Sequence, residues 1–265
     1  MVSNTLLVVT GASRGIGRSI ANAVSKRIQC PHRCRAVLIA RSEPDLAKTK
    51  NFMRTGGNDN IEIESVATDL SDLDAVELVI PELFRRLAMT SYDHAILINN
   101  AGSFGYLGPS TSIDLRGLQH ALNLNVTSSI YISSQFTSHF SDFSKKTTIV
   151  NISSVAAIKP FPTLGAYCAG KAARDMFHSV MAEEMKDKKC VNVINYAPGA
   201  VETDMQAEIR GSETIDDMVK GQMTKMKEEG SLLDSDETAR VLNQLIFGDT
   251  DVKSGNHIDY WDVKG

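Results

Sequence analysis

Two side chains that can share proton chemistry stand four residues apart, at Tyr167 and Lys171. In an α-helix that spacing places both on one face, about one turn apart. A phenol holds its proton until about pH 10, and a neighbouring cation stabilises phenolate and lowers that pKa. The pair therefore indicates a proton donor that works near neutral pH. A chance pair on a solvated helix face is the alternative interpretation, since the chain has six tyrosines.

A glycine-rich turn between a predicted strand and a predicted helix supplies a second chemical signal. Gly11, Gly15 and Gly17 follow the strand end at Thr10. They permit a tight turn and leave room for a pyrophosphate at the positive end of the helix. The spacing is G-x-x-x-G-x-G, a variant of the dinucleotide fingerprint, so the strand, turn and helix context carries the prediction. An ordinary strand-to-helix turn is the alternative.

The end of the second predicted strand carries Arg41 and Ser42, where an NAD-preferring site usually places an acid. A guanidinium can pair bidentately with a 2′-phosphate, and Arg14 can add a second cation, so these residues predict NADP(H). The alternative is that Arg41 lies in solvent at a strand end. Asp69 and Leu70, just beyond the third strand, suit an adenine ring whose amino group donates to the carboxylate; a helix N-cap is an equally plain interpretation of Asp69.

The elements that must position these groups follow an alternating rhythm. Short β-branched or leucine-rich runs alternate with longer segments of helical period, which predicts a parallel sheet covered on both faces. We expect a single α/β domain over residues 1–265, with a three-layer, doubly wound parallel sheet. Strands are predicted at 6–10, 36–40, 61–67, 95–98, 147–152 and 191–196, and helices at 15–28, 43–54, 71–88, 111–140, 165–186 and 235–246.

Local signals refine these helices. Ser71 and Asp236 are expected as N-caps, and Pro81 is expected to break or kink its helix. The irregular stretch 200–231 is rich in Met, Glu, Lys and Gly, and its length suits a mobile helical lid over a site. A solvated insertion is the alternative for that stretch.

Composition excludes some classes of function. A net charge of −4, with no long basic tract, argues against a nucleic-acid partner. No run approaches the roughly 18 apolar residues of a membrane span. The first residues show no secretory leader, and the last three, 263–265, show no retrieval signal, so we expect a cytoplasmic location without a membrane partner.

The four cysteines, at 30, 34, 168 and 190, are too few for a disulfide scaffold and suit a reducing compartment. Cys30, His32 and Cys34 offer three metal ligands, but no second cluster completes a tetrahedral site. We therefore expect no metal and interpret this segment as a helix-to-strand loop. Core packing is the expected role of Cys168.

Four motifs in order along the chain carry a family resemblance. They are the Gly11, Gly15, Gly17 turn, the sequences at 99–102 (NNAG) and 151–154 (NISS), and the Tyr167/Lys171 pair. Together they resemble the short-chain dehydrogenase/reductase family, over nearly the whole chain. The resemblance implies a Rossmann-type fold and an NADPH-dependent carbonyl oxidoreductase.

The resemblance also implies particular roles. Tyr167 would donate the proton, Lys171 would lower its pKa and hold the ribose, Ser154 would hold the substrate carbonyl, and Asn125 would hold a water behind the lysine. The cofactor positions that the resemblance implies include Tyr167 and Lys171 together with Gly11, Ser13, Arg14, Gly15, Ile16, Gly17, Arg41, Ser42, Asp69, Leu70, Asn100, Val201, Thr203, Asp204, Met205 and Gln206.

A finer likeness concerns the substrate. Segments 167–176, 195–199, 204–206 and 253–259 are similar to family members that reduce the side-chain ketone of a pterin. Asp259 matches the pterin anchor, since a carboxylate can accept the parallel N–H donors of the 2-amino group and the ring nitrogen. An exposed acid near the chain end is the alternative for Asp259. The implied substrate contacts are Ser154, Val155, Tyr167, Gly199 and Asp259.

Several departures leave the substrate open. Ser42, residues 200–202 and the stretches 103–116 and 207–231 match the likeness poorly. A reductase of other small ketones, dicarbonyls or quinones is therefore the first alternative. A non-catalytic NADP-binding sensor or scaffold is the second. The resemblance also implies a homodimer in which segments 111–140 and 165–186 pack against a second copy.

Overall fold

The computed structural model describes residues 3–28, 31–55, 61–248 and 252–264. In these residues, seven parallel strands form one sheet in the order β3-β2-β1-β4-β5-β6-β7. The chain reverses its direction of travel across the sheet at β1, where a doubly wound fold opens a crevice at the carboxyl ends of the strands. The strands are β1 (Asn4–Thr10), β2 (Arg33–Ala40), β3 (Ile61–Ala67), β4 (Tyr92–Asn99), β5 (Ser144–Ile152), β6 (Val191–Ala197) and β7 (His257–Asp259).

The apolar strand runs fold this way because both faces of the sheet are covered. In β1, Leu6 and Val8 pack into the core on one face, while Leu7 and Val9 pack into the core on the other. All four are fully buried. Successive side chains of β1 thus pack into two separate cores on opposite faces of the sheet. For this reason the sequence of the strand is continuously apolar.

Helices cover the two faces as the sequence predicts. α1 (Gly15–Arg27), α2 (Glu43–Arg54) and α9 (Ser235–Phe247) pack on one face, and α3 (Leu73–Leu87), α5 (Ser128–Phe140) and α6 (Gly165–Glu184) pack on the other. This arrangement confirms the three-layer, doubly wound fold. The domain bounds 1–265 stay a prediction. The remaining helices are α4 (Leu115–Leu122), α7 (Asp204–Gly211), α8 (Asp217–Glu228) and α10 (Tyr260–Lys264).

Two predicted helix caps are wrong by one or two residues. Asp72, rather than Ser71, caps α3 by accepting from the backbone N–H groups of Asp74 and Ala75. Asp234, rather than Asp236, caps α9 in the same way. Each sequence offers neighbouring cap-forming residues, and the aspartate whose carboxylate accepts from the first free N–H groups is the N-cap.

Pro81 does not break its helix, since α3 continues from Leu73 to Leu87. Ile80 and Phe84 on either side of it are fully buried against the sheet. That burial holds the helix together across the one backbone hydrogen bond that a proline removes.

The predicted single helix over 111–140 is divided. A 3₁₀ turn at Ser110–Ser112 precedes α4, and a π-helical turn at Asn123–Thr127 separates α4 from α5. The sequence pattern does not distinguish this turn from continuous α-helix. Within 200–231, the expected helices form as α7 and α8; its mobility stays a prediction.

The described residues contain no group of three His, Cys, Asp or Glu side chains that could hold a metal ion. Cys30 lies outside the described residues, and the His32 ring hydrogen-bonds to Ser3. Cys168 packs against a small apolar cluster around Phe104, as expected of a packing residue. In the part of the chain that the structure describes, no helix is long and apolar enough to cross a membrane.

Candidate active site

A cavity of about 680 Å³ opens at the crevice between the carboxyl ends of β1 and β4. It extends from the glycine turn to the ends of β2 and β3. The predicted cofactor positions that line it are Gly11, Ser13, Arg14, Gly15, Ile16, Arg41, Ser42, Asp69, Leu70, Asn100, Thr203, Asp204 and Met205. Sequence reasoning missed other lining residues, among them Ala101, Gly102, Leu124 and Glu202.

The glycine turn has the backbone that only glycine adopts readily. Gly11 and Gly15 have φ of +65° and +52°. Arg14, at the N-cap of α1, makes no side-chain cap hydrogen bond. The first N–H groups of α1 therefore face the cavity without a side-chain cap, which suits an anionic group there.

Five predicted cofactor positions do not line this cavity, namely Gly17, Tyr167, Lys171, Val201 and Gln206. Gly17 serves close packing, because a Cβ there would lie 2.3 Å from the Gly11 carbonyl oxygen and 2.5 Å from Asn100 Nδ2. Val201 is buried and pairs with Leu233 through an isolated β-bridge. The Gln206 backbone N–H donates to the Thr203 hydroxyl at the start of α7. Gly17 thus supports the glycine turn from behind the cavity surface.

Asn100 ties the two strands of the crevice together. Its Nδ2 donates to the carbonyl oxygens of Thr10 and Gly11, at 3.1 and 3.2 Å. Its backbone N–H donates to the Thr10 hydroxyl at 3.0 Å. The NNAG segment thus fixes the glycine turn. Asn100, which is predicted to contact the cofactor, also shapes the turn that would bind the cofactor.

At the far end of the cavity, charged groups of both signs meet. Arg41 Nη1 lies 3.9 Å from Asp69 Oδ2, and Arg41 is largely exposed. The Asp69 carboxylate also accepts from the Ser71 hydroxyl and N–H, which lowers its pKa despite desolvation. Ser42 caps α2 and donates to Asp45, whose second oxygen is paired with Lys48 at 2.7 Å.

The Arg14 guanidinium bridges the mouth of the cavity. Its Nη1 contacts Asp204 Oδ2 at 2.6 Å, at the start of α7. Both side chains are mostly exposed, so water and salt weaken this pair. The pair connects the glycine turn to the helices of the 200–231 segment.

The catalytic candidates lie together where β5 ends and α6 begins. Ser154 follows β5, and Tyr167 and Lys171 lie one turn apart on α6. Lys171 is buried, and its Nζ donates to the Ile152 carbonyl oxygen at 2.6 Å and lies 5.6 Å from the centroid of the Tyr167 ring. The Ser154 hydroxyl accepts from the Ala156 N–H at 3.1 Å.

Burial dominates the electrostatics of this group. Desolvation lowers the pKa of Lys171 well below its usual value and raises the pKa of Tyr167. Ser154, followed by the Arg174 guanidinium, acts to lower the pKa of the phenol. In this structure the Lys171 Nζ is directed to the Ile152 carbonyl, and its role in lowering the pKa of Tyr167 stays a prediction.

Asn125 lies in the π-helical turn and is buried. Its Nδ2 donates to the Ser103 carbonyl at 2.9 Å, and its Oδ1 accepts from the Ser103 N–H at 3.0 Å. The side chain therefore holds the segment that follows the NNAG motif. Its expected role in holding a water stays a prediction.

The other predicted substrate residues follow or end the strands β5, β6 and β7. Gly199 follows β6 with φ of +78°, and a Cβ there would lie 2.7 Å from the Leu233 side chain. Asp259 ends β7, and its carboxylate accepts from the Trp261 N–H at 3.0 Å. Val155 begins the 3₁₀ turn after Ser154. The structure thus brings the ends of β5, β6 and β7 to one edge.

An apolar wall, which sequence reasoning missed, borders the phenol. The Phe104 ring packs edge-on against Tyr167 with centroids 4.9 Å apart. Phe104 belongs to a cluster that joins the loop after β4 to the segment of α7 and α8; its buried members are Phe104, Leu164, Ile209, Ile215 and Val219. No periodic signal in the sequence links these distant residues.

Comparisons with known proteins define the class. The sequence model of short chain dehydrogenases matches residues 5–214. This chain belongs to that family and is an oxidoreductase that uses a nicotinamide cofactor. Its fold is similar to that of a short chain dehydrogenase/reductase from Saccharomyces cerevisiae, with a TM-score of 0.80, 26% identity, and coverage of 97% of this chain and 96% of that one.

Within the family, the chain is similar to reductases of two kinds of substrate. The chain is 34% identical over 261 residues to sepiapterin reductase of Rattus norvegicus, which covers 97% of this chain and 96% of the relative. It is 32% identical over 242 residues to benzil reductase ((S)-benzoin forming) of Bacillus subtilis (strain 168), covering 91% and 93%. An actinorhodin polyketide ketoreductase solved with NADPH has the same fold, with a TM-score of 0.77, 21% identity, and coverage of 98% and 95%.

Proposed function

We propose that this protein reduces the side-chain ketone of a pterin with NADPH. The observation that carries the proposal is that Ser154, Tyr167 and Lys171 lie together at the carboxyl edge of the sheet, where a cavity lined by the glycine turn opens and where Asp259 ends β7. Similarity to sepiapterin reductases over nearly the full chain supports the choice of substrate.

The cavity residues fit a phosphorylated dinucleotide. The uncapped start of α1 and the glycine turn suit the pyrophosphate. Arg41 would pair with a 2′-phosphate, and Ser42 lies beside it at the same rim. Lys48 offsets the nearby Asp45 carboxylate, whose pKa it lowers. The charge at this rim favours NADPH over NADH.

The bound nicotinamide would supply hydride to the ketone carbon. The protein then has to stabilise the negative charge that develops on the ketone oxygen and deliver a proton to it. Ser154 and Tyr167 both carry hydroxyl donors for that oxygen, and the Tyr167 phenol gives up its proton to the alkoxide. The buried Arg174 guanidinium favours the phenolate that remains, and Lys171 would add to this effect where it carries its proton.

Asp259 would orient the pterin. Its two carboxylate oxygens can accept from the 2-amino group and the neighbouring ring N–H in a fork geometry. The carboxylate lies at the end of β7, on the same sheet edge as Ser154. The side-chain ketone at the opposite end of the pterin could then reach the phenol.

Oxidation of NADPH at 340 nm, with sepiapterin as substrate, tests the proposal. NADH and benzil serve as the comparison cofactor and substrate. Turnover that requires NADPH and strongly prefers sepiapterin supports it. Turnover of benzil alone would keep the carbonyl reductase chemistry and remove the pterin assignment.

Similarity to benzil reductases favours a second candidate, a reductase of aromatic diketones. Asp259→Asn separates the two candidates, since an amide presents one acceptor where the carboxylate presents two. If Asp259 anchors a pterin, the variant loses about 10- to 100-fold in kcat/KM for sepiapterin, which corresponds to the usual value of a hydrogen bond to a charged group. Its kcat/KM for benzil should stay at the wild-type value. Equal kinetics of both substrates in the variant would favour the diketone candidate.

A second copy of the chain is the partner we expect at α6. An exposed apolar stripe runs along this helix at Ala169, Ala173, Met176 and Val180. Such a stripe is buried well by a two-fold contact between equivalent helices. The mass of the purified protein in light scattering tests this homodimer. A cytoplasmic location stays a prediction of the sequence.

A further inference from the structure

Polar side chains form a row across four parallel strands beneath the active site. Asn99 on β4 pairs in register with Asn151 on β5, Asn151 with Asn195 on β6, and Asn195 with His257 on β7. The three asparagines are at most 1% exposed. Asn151 Nδ2 donates to Asn195 Oδ1 at 2.9 Å, so adjacent strands are linked by side chains as well as by backbone.

Helix α6 places two charged groups on this row. Arg174 is fully buried and donates to Asn151 Oδ1 at 2.7 Å and to the carbonyl oxygens of Asn99 and Ala101. Asp175 accepts from Asn151 Nδ2 at 2.9 Å through one oxygen. Its other oxygen lies 2.6 Å from His257 Nδ1. The Asp175 carboxylate therefore joins α6 to β5 and to β7 at once.

The link to β7 matters because that strand is held weakly by its backbone. β7 contains three residues, His257 to Asp259, and lies at the edge of the sheet beside β6. A short edge strand has few ladder hydrogen bonds to keep it in register. The Asp175–His257 pair is mostly buried, with 12% and 18% of the two side chains exposed, where such a contact is screened little by water.

We propose that the Asp175–His257 pair is a positioning element, which fixes the β7 carboxylate of Asp259 relative to the Tyr167 and Lys171 of α6. Tyr167, Lys171 and Asp175 lie at successive turns of that helix. The same rigid element therefore carries the proton donor, Tyr167, and the residue that positions Asp259, which is Asp175. The kinetic consequence for a pterin rests on the proposed function. The structural consequence, the placement of β7, does not.

The charged groups around His257 are all acidic. Asp175 lies across from it on α6, Asp259 is on its own strand, and Asp262 is on α10; the Ser153 hydroxyl, 3.4 Å away, is neutral. Hydrogen bonding to Asp175 and these charges raise the pKa of His257 above its usual value. Because the pKa is raised in the folded protein, the charged pair is complete at low pH and is lost as pH rises through that value.

The test uses Asp175→Asn and His257→Gln, with Glu183→Gln as the control on an exposed position of the same helix. In both test variants, KM for sepiapterin should rise about tenfold or more, with kcat and the kinetics of benzil within about threefold of wild type. In the wild type, KM for sepiapterin should rise with pH through the pKa of His257, and this dependence should disappear in His257→Gln. Equal losses with both substrates, or no loss with sepiapterin, would overturn the proposal.

Amide hydrogen exchange of the peptide 252–260 keeps the inference independent of the pterin assignment. Exchange in this peptide should be faster in Asp175→Asn than in the wild type and in Glu183→Gln, while β1 and β4 keep their protection. If the wild type does not reduce sepiapterin, the proposed function fails. The exchange measurement alone then decides whether the Asp175–His257 pair positions β7. Unchanged exchange of 252–260 would overturn the positioning role in either case.

Discussion

The two halves of the carboxyl edge of the sheet are built by different means. On the side of β1 and β2, backbone shape makes the site: glycines with positive φ, an uncapped helix start and one asparagine that fixes the turn. On the side of β5, β6 and β7, side chains from distant segments make it, through buried hydrogen bonds and an apolar wall. The cofactor side therefore depends on local sequence, and the substrate side on tertiary contacts.

The different construction suits different tasks. A dinucleotide presents the same phosphates to every member of a family, and a turn of fixed backbone can bind them repeatedly. Substrates differ in shape, and side chains on loops and short strands can vary without disturbing the turn. Tyr167 and Lys171, the proposed catalytic pair, lie on α6, which follows β5 in the chain.

The largest effect is expected at the proposed catalytic pair. Tyr167→Phe removes the proton donor and leaves the ring that packs against Phe104, so kcat should fall by about 10²- to 10⁴-fold. NADPH binding, followed by quenching of protein fluorescence, should stay within about threefold of the wild type. A variant that keeps its kcat would show that Tyr167 is not the proton donor, and absence of turnover in the wild type would support the non-catalytic sensor or scaffold.

A smaller effect is expected at the far end of the cofactor side. Arg41→Ala should raise KM for NADPH by about 10- to 100-fold, since it removes charge-assisted hydrogen bonds to a phosphate. KM for NADH should change little, because that cofactor lacks the 2′-phosphate. Arg85→Ala, on the exposed surface of α3, is the matched control. Equal changes with both cofactors would show that Arg41 acts on the fold of this rim and not on the phosphate.

Gly17→Ala tests whether backbone shape alone makes the cofactor side. A Cβ at Gly17 would collide with the Gly11 carbonyl and Asn100, so the free energy of unfolding should fall by about 1–3 kcal/mol. Gly221→Ala on α8 is the control, because nothing lies within 4 Å of its Cβ, and it should stabilise the protein by about 0.5–1 kcal/mol. Urea denaturation measures both. Equal stabilities of the two variants would contradict the close packing of the turn.

Sequence-based prediction succeeded where a structural feature is determined by residues close together in the chain. The glycine spacing, the apolar strands and the Tyr167/Lys171 spacing each express geometry within a few residues, and the fold and the placement of these groups follow from them. It failed at the π-helical turn and at the caps of α3 and α9. At each of these places, neighbouring residues can form alternative local structures of similar free energy, and the sequence pattern does not distinguish them. It also missed β7, since three residues carry too short a pattern.

By itself, the sequence determined the doubly wound sheet, the position of the glycine turn and the spacing of Tyr167 and Lys171 on one helix, because each depends on residues close together in the chain. Only the tertiary structure decided the electrostatics of that pair and the support of the substrate side. Burial sets the pKa of Tyr167 and Lys171, and desolvation is a property of everything packed around a group. Asp175 and His257 lie 82 positions apart in the chain and meet only when β7 joins the sheet beside α6.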